Sequence, residues 1–316
     1  MTTTITNPTL TSAEIAAAIA LLTSHGYVML EKFVPPMAYR QVDVPESRLT
    51  LGVVLDTETT GKNPEVDRVV ELGMVFFEYD PETGIVYRIV DVFNELQDPG
   101  MPIDPGATAV SGITDEMVKG KSIDAQRVSD LVTFVSIVIA HNAEFDRKVC
   151  EREWPFFAKL PWACSFRQVP WEREGMGSAK LDYLAYRRGF HYSAHRAEED
   201  CRALLHILQG DLGDTGASTL KALLERSKSL EMRIYASDSP FAMKDVLKDR
   251  NYRWSDGTNG QEKAWYCSAT EETFEAELAW LKANVYGNRS TSVVVETLDS
   301  LCRFSGRRGT TQRKYL

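Results

Sequence analysis

The chain has 316 residues, 43% of them hydrophobic, and a formal net charge of −9. That content sustains one enzyme-sized domain with smaller appendages and excludes large-scale disorder. Five cysteines without a Cys-x-x-Cys pair exclude a disulfide framework and structural zinc, and they fit reduced thiols in a cytoplasmic protein.

Residues 1–49 read as an appendage and linker: one helix ending near Gly26, a short strand from Tyr27 to Phe33, and a connector bearing Pro35, Pro36 and Pro45. The apolar stretch Ile15 to Leu22 has no basic segment before it. It follows Thr11-Ser-Ala-Glu14, a capping-box pattern, so it reads as a helix and as neither a signal peptide nor a membrane span.

Leu51-Gly-Val-Val-Leu-Asp-Thr-Glu-Thr-Thr-Gly61 then reads as a buried strand. Strand side chains alternate faces, so Asp56 and Glu58 point to the same side. Carboxylates held that close repel unless they share a cation, and an oxygen-only set favours magnesium or manganese. A second apolar run, Val135 to Ala140, leads into His141-Asn142-Ala-Glu-Phe-Asp146, a helix start with Asn142 at the cap and Asp146 in the first turn. His195-Arg-Ala-Glu-Glu-Asp200 opens a third element, where Cys201, Leu204, Leu205 and Leu208 mark the buried helical face. Asp200 lies one turn before Leu204 and looks inward, whereas Glu198 and Arg202 form an i, i+4 pair toward solvent. An inward carboxylate needs a partner or a metal.

A linker at 210–218 carries three glycines and ends the helix before it. Residues 219–302 read as a small α+β module with helices near 220–225, 241–248 and 273–285 and strands near 232–236, 252–255, 263–268 and 292–298. Its hairpin interleaves Arg250, Arg253 and Lys263 with Tyr252, Trp254, Trp265 and Tyr266, a mixture suited either to stacking bases or to docking a protein partner. Residues 303–316 form a basic tail in which Arg303, Arg307, Arg308, Arg313 and Lys314 stand without an acid. It reads as a solvated terminus or as a tether for phosphates.

Asp-Thr-Glu-Thr-Thr-Gly, His-Asn-Ala-Glu-Phe-Asp and the His195/Asp200 pair together resemble the three motifs of the DEDDh 3′–5′ exonucleases related to the epsilon proofreading subunit of DNA polymerase III. The likeness covers roughly residues 50–210, and Arg68 to Gly73 and Ser111-Gly-Ile-Thr114 add to it. Ser111 stands where many members carry histidine. The resemblance implies a ribonuclease H-like α/β fold, a mixed sheet flanked by helices, as the exonuclease domain at 50–210. It also implies two Mg2+ ions, replaceable by Mn2+, on Asp56, Glu58, Asp146 and Asp200. His195 would be the general base, a task that imidazole suits near neutral pH. Thr57, Thr59, Asn142 and Phe145 would contact the terminal nucleotide. The expected partner is single-stranded nucleic acid with a free 3′ end, DNA favoured, and the expected activity is release of nucleoside 5′-monophosphates in repair or processing. An exoribonuclease similar to oligoribonuclease or ribonuclease T, and a non-catalytic polymerase-associated binding module, are the alternatives.

Overall fold

The computed structural model describes residues 10–172, 174–213, 216–287 and 289–316. Asp214 and Thr215 of the expected linker, and the first nine residues of the appendage, lie outside the described residues. Five strands build the main sheet: β1 (Thr50–Thr59), β2 (Val69–Tyr79), β3 (Val86–Leu96), β4 (Ile137–Ala140) and β5 (Trp162–Cys164). Their order is β3-β2-β1-β4-β5, antiparallel across β1, β2 and β3 and parallel from β1 to β4 and β5. This mixed sheet, covered by helices on both faces, is the expected ribonuclease H-like architecture.

Alternation along β1 assigns the two faces. Val53 and Leu55 point into one core cluster, which also holds Val149 and Cys150 of the helix Ala143–Glu153. Val54 points into the other, with Cys201, Leu204, Leu205 and Leu208 of the helix Ala197–Gln209. These two helices are named α2 and α3, after the N-terminal helix α1 (Ser12–Ser24). Asp56 and Glu58 share parity with Val54 and therefore face α3.

The N-terminal helix has its capping box, with Thr11 and Glu14 bonded reciprocally, yet buries none of its residues. The strand expected from Tyr27 to Phe33 shrinks to Glu31–Lys32, which pairs in parallel with Phe190–His191. Phe33 then packs on Phe190, with ring centroids 4.9 Å apart. Among the described residues no helix is long and apolar enough to cross a membrane. All five cysteines are free thiols.

Helix α4 (Thr219–Lys228) corrects the expected division of the chain. Leu220, Leu223 and Leu224 complete the α3 face of the main core, so the helix after the linker belongs to the first body and does not start the second. The second body is a five-stranded antiparallel sheet of β6 (Glu231–Ala236), β7 (Arg253–Trp254), β8 (Trp265–Thr270), β9 (Ser292–Leu298) and β10 (Thr310–Tyr315), in the order β10-β9-β6-β8-β7. Helix α5 (Phe274–Asn284) contributes Leu278 and Leu281 to the core on one face of this sheet.

The basic tail is likewise corrected, because Arg303, Arg307 and Lys314 have partners within the fold. Residues 310–315 form the edge strand β10, paired along its length with β9. Arg303 is buried, bonding the carbonyls of Ser227, Ser229 and Leu298. Arg307 pairs with Glu151 at 3.1 Å. From the other side the wholly buried Arg147 donates to the carbonyls of Ser300 (2.9 Å), Arg303 (2.8 Å) and Leu301. Arginine serves here as a clamp between the two sheets, its fork matched to a run of backbone carbonyls.

Removing that clamp strands the buried Arg303 carbonyl, takes one donor from the carbonyls of Ser300 and Leu301, and leaves Glu151 with Arg307 alone. Arg147→Met should lower unfolding stability by about 3–5 kcal/mol, the usual loss when one partner of a buried charged network is deleted. Urea unfolding followed by circular dichroism measures it, and a loss below about 1 kcal/mol contradicts the clamp.

Candidate functional site

The site begins at the end of β1. In the β1–β2 register Asp56 stands opposite Gly73, and Glu58 opposite Glu71. Two acids directly across an antiparallel pair repel, and Glu71 is wholly buried. Arg196 resolves the conflict by gripping Glu71 with Nη2 at 2.6 Å and Nε at 3.2 Å. The same carboxylate accepts from the Ala197 N–H at 3.1 Å and from Asn94 at 3.2 Å. No side chain of the preceding loop caps α3, so Glu71 fills that role from β2, with its negative charge at the positive helix end.

Gly73 allows the helix to come this close. A Cβ there would lie 2.5 Å from the Ala197 carbonyl carbon and 2.6 Å from the Glu198 nitrogen, with both obstacles being backbone. Docked in this way, α3 delivers Asp200 over β1. Its carboxylate accepts from the Tyr192 hydroxyl (2.7 Å), the His195 N–H (2.7 Å) and the Arg196 N–H (3.1 Å).

The structure brings Asp56, Glu58 and Asp200 together, each offering an oxygen within 4.8 Å of the others. Asp146 stands beside this triplet, outside it. It comes from α2, on the opposite face, and one oxygen is taken by the N–H (3.1 Å) and hydroxyl (2.8 Å) of Thr57. Its charge nevertheless acts on Asp56. Burial first, and then the charges of Asp146, Asp200 and Glu58, hold the Asp56 carboxyl well above the ordinary range. Burial, followed by Asp200 and Glu71, pushes Glu58 up to about 8. Burial lifts Asp146 to about 7 against the bonds from Thr57. Asp200 is raised by burial despite its three donors. Crowded oxygens with frustrated ionisation fit a hard divalent cation such as Mg2+ or Mn2+.

Beside the triplet opens a pocket of about 490 Å3, with Asp200 and His195 on its wall and Asn142, His141 and Tyr192 around them. His195 is exposed and held at φ 69°, a left-handed backbone that its N–H bond to Asp200 helps to fix. The expected Glu198–Arg202 pair forms at 2.8 Å. His141 bonds Ser165 Oγ at 2.8 Å and the Ala179 carbonyl at 2.7 Å, and burial pushes its ring down to about 4, so it is a neutral part of the wall.

Three of the expected nucleotide-binding side chains point elsewhere. The Thr57 hydroxyl is committed to Asp146, the Thr59 hydroxyl donates to the Gly61 carbonyl at 2.6 Å, and Phe145 packs against the α2 core. Asn142 occupies the cap position of α2 without a side-chain capping bond and lines the pocket. Ser111 donates to the Ala107 carbonyl at 3.0 Å and accepts from the Ile113 N–H, both within the helix Pro105–Ser111 and the turn that ends it. Sequence reasoning missed Phe166, 42% exposed in the pocket, as well as Lys180 at its rim and Tyr192. None of these has a local pattern that sets it apart from ordinary surface or core residues.

An α/β sheet that gathers three strand- and helix-borne carboxylates beside an open pocket is the architecture of ribonuclease H-like nucleases. The exonuclease family model, RNase_T, matches residues 53–208. Over 161 residues the chain is 32% identical to the DNA polymerase III subunit epsilon of Treponema pallidum (strain Nichols), covering 48% of this chain and 72% of that one. Over 168 residues it is 31% identical to the PolC-type DNA polymerase III of Thermotoga petrophila, covering 49% of this chain and 11% of that much longer protein. Among solved structures, the zinc-bound E.coli ExoI-ssDNA complex shares the fold, with a TM-score of 0.50 and 15% identity, covering 74% of this chain and 71% of that one. The chain belongs to the RNase T exonuclease family.

The crowded carboxyls yield a prediction with a definite sign. Glu58 and Asp146 hold protons more tightly folded than unfolded. Metal-free protein therefore binds extra protons on folding between about pH 4 and pH 8, and its stability falls as pH rises through that window. A divalent cation at about 100 times its dissociation constant adds about 2.7 kcal/mol and flattens this slope. Urea unfolding at both ends of the window, with chelator and with Mg2+, tests it, and identical slopes under the two conditions would count against the cation site.

Proposed function

We propose that this protein is a 3′–5′ exonuclease that releases nucleoside 5′-monophosphates from the 3′ end of single-stranded nucleic acid, DNA in preference to RNA. The observation that carries the reading is the meeting of Asp56, Glu58 and Asp200 within 4.8 Å beside a pocket that also presents His195. The epsilon subunit among its relatives and the single-stranded DNA named in the ExoI complex favour DNA. A role in DNA repair or processing follows from that substrate.

In this reading Asp56, Glu58 and Asp200 would hold a divalent cation, Mg2+ or Mn2+, and Asp146 would contribute to a second. Such ions lower the pKa of a bound water and offset charge on the attacking and leaving oxygens. His195, at the pocket edge, takes the proton from the attacking water onto a ring nitrogen. The new P–O bond forms as the bond from phosphorus to the 3′ oxygen breaks, and that oxygen leaves as a hydroxyl after protonation by solvent. Tyr192 holds Asp200 in orientation through its 2.7 Å bond. Phe166 offers a ring edge or face to the terminal base, Asn142 a polar contact, and Lys180 a cation for its phosphate.

Incubating 5′-labelled single-stranded DNA, duplex DNA and RNA with Mg2+, Mn2+ or chelator tests the activity. A ladder shortening from the 3′ end, lost with chelator, is expected. Faster loss of RNA than DNA would favour the exoribonuclease alternative, and no cleavage of any strand the non-catalytic one. His195→Ala should lower turnover by about 100- to 10,000-fold while calorimetric binding of Mn2+ stays near wild type. Unchanged turnover in that variant refutes its role.

A further inference from the structure

Strand alternation divides the aromatic and basic hairpin that the sequence presents as one surface. Trp254 and Trp265 pair across β7 and β8 on the α5 side of the sheet, next to Phe241. Tyr252 is buried in the module core, and Arg250 lies over the Trp280 ring and pairs with Glu277. Arg253 and Tyr266, also register partners, point the other way, toward the main sheet.

There they meet a cleft of about 320 Å3 between the two bodies, lined by Arg167, Arg226, Arg233, Arg253, Arg303 and Tyr266. Five guanidinium groups converge although the chain as a whole carries −9. Acids answer only three of them: Glu144 pairs with Arg167, Glu296 with Arg233 at 3.3 Å, and Glu231 with Arg303 at 3.5 Å. Among the described residues no ion pair forms at Arg226 or Arg253. The Nε of Arg233 is shielded without a hydrogen-bond partner, and its guanidinium lies 5.2 Å from the centroid of the Tyr266 ring. That ring is half-buried, with its remaining surface in the cleft.

The cleft adjoins the catalytic pocket. Phe166 lines the pocket and Arg167, the next residue, lines the cleft; Asn142 lines the pocket and Glu144 the cleft. A chain leaving the pocket past Phe166 therefore enters a positively charged trough, where low-dielectric walls concentrate the field on an anion.

We propose that this cleft holds the phosphodiester backbone of the strand upstream of the 3′ terminus, with Tyr266 stacking on one of its bases. The assignment rests on the exonuclease reading of the neighbouring pocket. It makes the C-terminal module part of the substrate-binding surface and accounts for an acidic protein acting on a polyanion: the attraction is local, and Arg226 and Arg253 exchange counterions for phosphates. Arg167 and Arg303, tied to acids, shape the trough.

The test uses the full chain and its Arg253→Ala, Arg226→Ala/Arg253→Ala and Tyr266→Ala variants. Fluorescence anisotropy with chelator present follows binding of fluorescein-labelled oligothymidylate and oligouridylate of about 20 nucleotides, longer than one small module spans. The double variant should bind about tenfold more weakly, with a log–log salt slope shallower by about 0.7 for each phosphate that is no longer neutralised. With Mg2+, its kcat/KM on the oligonucleotide relative to p-nitrophenyl thymidine 5′-monophosphate should fall about tenfold, the change lying in KM. Tyr266→Ala should weaken binding without altering the salt slope. Unchanged affinity and slope in the double variant overturn the proposal, as does an equal loss on the nucleotide-sized substrate. Displacement of the oligonucleotide by polyglutamate as readily as by unlabelled strand would instead assign the cleft to an acidic peptide. Failure of the exonuclease reading gives a different pattern: wild type binds strands through Arg253 but hydrolyses neither substrate.

Discussion

Like charges have to be held together before this site can exist. Asp56, Glu58 and Asp200 share a small volume, with Asp146 and Glu71 close behind. Left to electrostatics the carboxylates would separate, and only a scaffold stiffer than their repulsion keeps them in place. The scaffold is specific at each acid. Asp56 and Glu58 ride on a strand paired with β2 along its length and with β4 as far as Val54. Asp200 is fixed by three donors, Asp146 by two from Thr57, and Glu71 is neutralised by Arg196. The close approach of Gly73 to Ala197 completes the arrangement, because a side chain at position 73 would lift α3 and carry Asp200 away from β1. Site and fold are therefore one problem: the interactions that dock α3 also create the cation-binding potential.

What the sequence made legible was local. The parity of Asp56 and Glu58, the inward stagger of Asp200 and the Thr11–Glu14 cap each follow from the geometry of one element, and each appears in the structure. What stayed hidden depends on tertiary neighbours. Glu71 reads as one more residue in a strand, and nothing nearby in sequence says that Arg196 will neutralise it. Phe145 and Phe166 are both aromatics beside motif residues, and which one faces the pocket depends on how α2 packs. Helix α4 follows a glycine-rich stretch that looks like a boundary, yet its leucines complete the core under α3. Glycine marks where a helix ends and carries no information about which core the next helix joins.

The arginines show why charge counts alone mislead. Composition gives an acidic chain with a basic end, which suggests a free electrostatic tail. In the structure that segment crosses between the two sheets before adding an edge strand to the second. Arg147 and Arg303 occupy its crossing point, where burial draws both guanidinium groups below their ordinary proton affinity. Desolvating two cations is costly. The offset comes from the backbone carbonyls of Ser227, Ser229, Leu298, Ser300, Leu301 and Arg303, which accept from the two guanidinium groups.

That crossing has a consequence for function. A module joined by a flexible linker samples many orientations, and a groove shared with its neighbour would form only part of the time, lowering apparent affinity by the fraction of closed molecules. Here the two bodies are joined by buried guanidinium–carbonyl bonds and by the Trp162 N–H, which donates to the Ser300 carbonyl at 2.9 Å and so ties the segment to the edge strand β5. The walls of the arginine-lined cleft are consequently set before any ligand arrives, and the ordering cost has been met during folding. The same residue type does two jobs within one region of the fold: where carbonyls surround a guanidinium it joins the bodies, and where they are missing, at Arg226 and Arg253, it is left to find its anion from outside.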